Sequence, residues 1–223
     1  MKIIKKQGGF TLVEIAIVLV IVGLLLAGVL KGQELIESSK IRASVSELNS
    51  ITAANNAYID RYRIAPGDDG PTAAALQARG GAWANITAAG NRDGILASTA
   101  AQTILPTAES LGFWQHLKAA GFIAGSPADI GVAALPRNSF GGLIGVVNAI
   151  PAITGANGRS VCITQVPGKA ARAIEAQIDD GNATTGDVRS TLGATGVNTV
   201  PGVAVPAAPF YIDGNFYTVC RTL

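Results

Sequence analysis

The chain has 223 residues, of which 48% are hydrophobic and 14% charged, with a formal net charge of +2. The charged share is well below the roughly 25% usual for soluble domains, and so small a net charge provides no basic field to hold nucleic acid. One histidine and two cysteines leave little for catalysis, and neither a nucleophile elbow nor a metal-ligand spacing accompanies His116. No enzymatic activity is expected, and His116 reads as an ordinary helix residue.

Met1 to Gly9, MKIIKKQGG, carries three lysines and no acid. Removing those lysines from the 17 cationic side chains leaves 14 against 15 acidic ones, a near-neutral body. Phe10 to Leu30 follows, 21 residues in which Glu14 is the one ionisable side chain. As a helix it measures about 31 Å, matching a hydrocarbon core of about 30 Å. Lysines ahead of the span place the N-terminus in the cytoplasm and the body outside. A secretory signal peptide cut near Ala27 or Gly28 has an apolar region of only about 7–15 residues. A plain anchor leaves Glu14 without purpose, although an intramembrane carboxylate costs on the order of 2.5–3.5 kcal/mol and marks a function.

Gly9-Phe10-Thr11-Leu12-Val13-Glu14, set between a basic leader and an apolar helix, resembles the processing site of type IV prepilins and of type II secretion pseudopilins. The resemblance implies that a prepilin peptidase cuts between Gly9 and Phe10 and that the new Phe10 amine is methylated. It also implies that Glu14 pairs with the Phe10 amine of a neighbouring subunit, which turns a buried charge into a register-setting contact.

Beyond the span, Ile41, Val45, Leu48, Ile51, Ala54, Tyr58 and Tyr62 recur at three- and four-residue steps, one amphipathic face. The helix therefore continues to about Arg63, roughly 80 Å from Phe10, until Ala65-Pro66 stops it. Gly23, Gly28 and Gly32 are its weak points. Residues 66–106 read as a long loop with turn chemistry. Its Gly67-Asp68-Asp69-Gly70 and Asn91-Arg92-Asp93-Gly94 stretches have carboxylates and an amide that suit Ca²⁺, though neither matches an EF-hand. No cofactor is expected, with Ca²⁺ as the alternative. Glu109 to Ile123 predicts a short amphipathic helix with Gly121 near its end. Residues 140–147 and 160–166 predict strands, 168–178 a helix, and 209–219 two strands around Asp213-Gly214.

Cys162 and Cys220 lack a CxxC spacing and suit a single disulfide in an oxidising compartment. The resemblance adds that many type IV pilins bound a C-terminal region in this way. The fold class expected is α+β and pilin-like. Its parts are a leader of residues 1–9, a helix of residues 10–65 spanning the membrane at 10–30, and a globular domain of residues 66–223 with an antiparallel sheet. The resemblance implies a filament subunit that resides in the inner membrane before assembly and on the cell surface afterwards. Its implied partners are copies of itself, a prepilin peptidase, an inner-membrane assembly platform and membrane lipid. A pseudopilin of a type II secretion system and a minor pilin remain the alternatives.

Overall fold

The computed structural model describes residues 11–149, 158–202 and 210–223. The architecture is α+β, in two compact units, Met1–Ser39 and Lys40–Leu223. Helix α1 runs without interruption from Leu12 to Tyr62, so Gly23, Gly28 and Gly32 do not break it. It ends before Pro66 acts, because Arg63 takes a φ of 58°, a left-handed conformation that turns the chain out of the helix. Within the second unit α1 buries Ile41, Ser44, Leu48, Ile51, Ala54, Asn55 and Tyr58. Val45 and Tyr62 pack half-buried against the same core. The periodic face read from the sequence is the face that is covered.

Four strands form one antiparallel sheet in the order β1-β2-β4-β3: β1 Ile144–Asn148, β2 Arg159–Pro167, β3 Val188–Gly193 and β4 Phe216–Thr222. Side chains alternate across a sheet. Ile144, Val146, Val161, Ile163, Val188, Tyr217 and Val219 therefore share one face, and they join α1 and the Ala170, Ala171 and Ile174 side chains of α4 (Gly168–Ile178) in a single core. Short elements fill the rest: α2 (Ala73–Gln77), α3 (Ala108–Ala119) and 3-10 turns at Gly81–Asn85, Ala100–Thr103 and Gly131–Ala134.

Several strand boundaries differ from the sequence expectation. The first strand starts at Ile144 because Asn138 holds the preceding residues in a turn, its Oδ1 accepting from the Phe140 and Gly142 amides at 2.9 and 3.1 Å. Of two strands expected over 209–219, β4 forms. Pro209 lies outside the described residues, and residues 210–215 are not strand. α3 stops at Ala119 rather than Ile123. Gly121, at φ 78°, donates to the Lys118 carbonyl while Phe122 donates to that of Leu117, and this pair of bonds terminates a helix.

Cys162 and Cys220 face each other across β2 and β4 and form a disulfide. They occupy the sheet face opposite the main core, in a small cluster with Val147. The bond is a rivet between the two central strands, and its sequence separation is 58 residues. The chain-entropy treatment assigns a loop of that size about 4 kcal/mol. Because both cysteines are essentially unexposed, reductant alone should leave the native bond intact. Reductant with denaturant should open it and lower the unfolding free energy by about 4 kcal/mol, as read from urea titrations of Cys162→Ala/Cys220→Ala against the parent. Equal stabilities would contradict this role.

Candidate functional site

Gly9 and Phe10 lie outside the described residues, and the described helix begins with Thr11 and Glu14 locked together. The Thr11 amide and hydroxyl both donate to Glu14 Oε2 at 2.8 Å, and the Glu14 amide donates to Thr11 Oγ1 at 3.3 Å. This is a capping box, in which a Thr and a Glu three residues later satisfy amides that the first helical turn leaves unbonded. The Thr-x-x-Glu spacing carries that signature in the sequence, and the reading of Glu14 as an intersubunit partner overlooked it. Glu14 therefore has donors within its own chain.

From Leu12 to Ile36 the large apolar side chains are exposed, Leu12 at 91% and Leu24 at 71%. The most apolar 18-residue window has a mean hydropathy of 2.9, and none of it is buried. The helix is long and apolar enough to cross a membrane. It cannot remain bare in water, because contiguous exposed apolar surface of this extent demands a partner or a lipid phase. The Lys31–Glu34 pair at 2.9 Å is exposed on both sides and adds little.

The two Asp-bearing loops do come together, bound to each other. Asp68 accepts from the Asp93 and Gly94 amides at 3.1 and 2.9 Å. Asp69 is fully buried and accepts from the Tyr58 hydroxyl at 2.8 Å, with Arg79 at 2.8 Å and Arg92 at 3.3 Å on its oxygens. A Cβ at Gly70 would strike the Gly90 carbonyl, and one at Gly90 would strike the backbone of Asp68, so glycine is what allows the loops to meet. The carboxylates that suggested Ca²⁺ thus bind amides and guanidinium groups. Arg79 also lies over Trp83 and Tyr62, at 4.5 and 4.9 Å from the ring centroids.

His116 stands beside this cluster, its ring stacked on Tyr58. It is fully buried, with the Gly67 amide 3.0 Å from Nδ1 and the Ala88 carbonyl 3.1 Å from Nε2. A neutral ring with its proton on Nε2 satisfies both contacts. Burial lowers the His116 pKa to about 4, against the pull of the Ala88 carbonyl. Burial alone would raise Asp69, but hydrogen bonds from Tyr58 and Arg79 and the Arg79 charge outweigh it and hold the carboxyl below its usual range.

A third carboxylate group lies at the end of α4, where Glu175, Asp179 and Asp180 gather. Burial raises the Glu175 pKa to about 8. The hydrogen bond from Tyr211 opposes the rise, and the charges of Asp179 and Asp180 add to it.

The His116 shift has a pH consequence of definite sign. The folded state holds the ring neutral, so its contribution is complete above an unfolded pKa of about 6.5. It is lost progressively as pH falls to about 4, on the order of 3 kcal/mol in all. Asp69 extends the loss at lower pH. Because the chain has one histidine, an NMR titration of the full-length protein in detergent reads it directly. A midpoint near 4 is expected, and one near 6.5 would contradict the buried, neutral assignment.

No curated protein matches the chain in sequence. Residues 4–30, which hold most of the basic leader, the Gly9-Phe10 junction, the Thr11–Glu14 cap and the apolar part of α1, match the family model of the prokaryotic N-terminal methylation motif, the class III signal peptide of type IV pilins and pseudopilins.

Proposed function

We propose that this chain is a structural subunit of a type IV pilus-like filament. It would be cut between Gly9 and Phe10, methylated at Phe10, held in the inner membrane by its apolar helix, and then polymerised through that helix. One observation carries the reading: a helix whose most apolar 18-residue window has a mean hydropathy of 2.9 and no buried residue directly follows a junction of the methylation-motif type. Cleavage at that junction keeps the helix in the mature protein, whereas a secretory signal is discarded whole. Lipid is as apolar as leucine, so side-chain packing and polar pairing must drive the helices together. The pairing proposed is Glu14 with the Phe10 amine of the next subunit. The disulfide-riveted domain, residues 66–223 with the distal half of the helix, would form the filament surface.

Mass spectrometry of the mature N-terminus tests processing. It should begin at methylated Phe10, and an N-terminus near Ala27 would refute the proposal. Gly9→Val should leave an uncut, membrane-retained precursor.

Assembly is tested at Glu14. Glu14→Ala removes a carboxylate that is costly in lipid, so membrane insertion should be unharmed or improved. The yield of sheared filaments relative to membrane-bound protein should nevertheless fall at least roughly tenfold, because an incoming amine loses its counter-charge in the apolar bundle. Glu14→Gln retains a helix-capping acceptor but no charge, so it separates the intrachain cap from the intersubunit pair. Normal filaments from Glu14→Gln would show that capping, not charge pairing, is what Glu14 supplies.

A further inference from the structure

One oxygen each from Glu175, Asp179 and Asp180 lies within 4.8 Å of the other two, at the C-terminal end of α4. Glu175 is fully buried, Asp179 half-buried and Asp180 exposed, so the group leads from the interior to solvent. Asp179 Oδ2 accepts from the Val188 amide at 2.5 Å. The Asp180 oxygens accept from the Asn182 amide at 2.8 Å and the Thr185 hydroxyl at 2.6 Å. These bonds fix two carboxylates in place and leave lone pairs free on each. Gly186 lies beside them at φ 73°, where a Cβ would be strained and would displace the Asp179 carboxylate.

Glu175 supplies the observation that points to a ligand. Its Oε2 accepts from the Tyr211 hydroxyl at 2.8 Å, and that hydroxyl lies 2.8 Å from Ser190 Oγ. Its Oε1 is buried with no hydrogen-bond partner among the described residues. Buried polar atoms are rarely left in that condition, so this one calls for a proton or a cation. The helix terminus favours a cation, since the C-terminal end of a helix carries partial negative charge. Arg189 acts favourably on Asp180, but one guanidinium does not neutralise three carboxyl groups.

We propose that Glu175, Asp179 and Asp180 form a binding site for a hard divalent cation, with Ca²⁺ the best match. All donors are oxygens, which selects against thiol-seeking metals. The irregular set, one buried group and two near the surface, suits the flexible coordination of Ca²⁺ better than the strict octahedron of Mg²⁺, with water completing the shell. A bound ion clamps the end of α4 to the 179–187 loop that leads into β3. The site belongs to the globular unit alone and does not depend on whether the chain polymerises.

The test uses the full-length chain in detergent at constant ionic strength. Ca²⁺ added to metal-stripped protein should raise Tm saturably, with one ion bound per chain and Mg²⁺ acting more weakly. Terbium in the same site should luminesce when tyrosine is excited, because Tyr211 touches Glu175, and Ca²⁺ should quench that signal by competition. Asp180→Asn, at an exposed position, should weaken binding roughly tenfold or more by lowering the ligand charge. Glu175→Gln should raise the metal-free Tm and abolish the response to Ca²⁺. A parent protein that melts identically with and without Ca²⁺ would overturn the proposal and leave a proton as the occupant of Glu175. So would an Asp180→Asn variant that binds like the parent, a result that decides the matter even if Glu175→Gln does not fold.

Discussion

An α-helix satisfies its own backbone hydrogen bonds but leaves its side chains to find their surroundings. From Leu12 to Leu30 those side chains are aliphatic apart from Glu14, and they are exposed. Neither water nor the other described residues meet that need, which lipid or neighbouring helices would. A helix that passes from one setting to the other, as the proposed assembly requires, must be stable in both. The Thr11–Glu14 capping box satisfies the amides of Thr11 and Glu14 from within the chain, and in lipid an unsatisfied amide is expensive. Glu14 is thereby placed at the end of the span with its charge partly spent on Thr11. A second donor, the proposed Phe10 amine, would compete with a bond already made.

The globular unit is held by means independent of that helix surface. One buried polar cluster centres on Asp69, whose carboxylate meets Tyr58 of α1, Arg79 and Arg92. Two loops without extended secondary structure are tied to the amphipathic part of α1 by one acid. Removing one partner from such a cluster leaves a buried charge exposed to full desolvation cost. The sheet is secured separately, by the Cys162–Cys220 bond on the face away from the core. Neither the Asp69 cluster nor the disulfide involves the exposed side chains of residues 12–36.

Periodicity made the helices legible. The apolar face of α1 and the span of α4 follow from spacing alone, as does α3 apart from its last residues. There Gly121 decided the terminus by accepting a positive φ. Strand β3 was not legible because its inward position between Val188 and Leu192 is Ser190. Burial of that hydroxyl is acceptable only because Tyr211, distant in sequence, bonds it. The loop carboxylates were noticed as a chemical pattern, but their partners were not: the contacts from Asp69 to Tyr58, Arg79 and Arg92 depend on tertiary placement. The three acids at the end of α4 carry no motif. Only the structure shows that Glu175 is buried beside Asp179 and Asp180 with an oxygen to spare.

The proposed polymer requires that the bare helix find its partner in copies of itself. Electron cryomicroscopy of sheared surface material tests this most directly. Filaments are expected whose axis is built from laterally packed helices beginning at residue 10, with the four-stranded sheet domains outside and Glu14 beside the terminal amine of an adjacent subunit. A chain found only as a membrane-bound monomer, with residues 12–36 facing lipid under conditions in which the cell makes filaments, would contradict it.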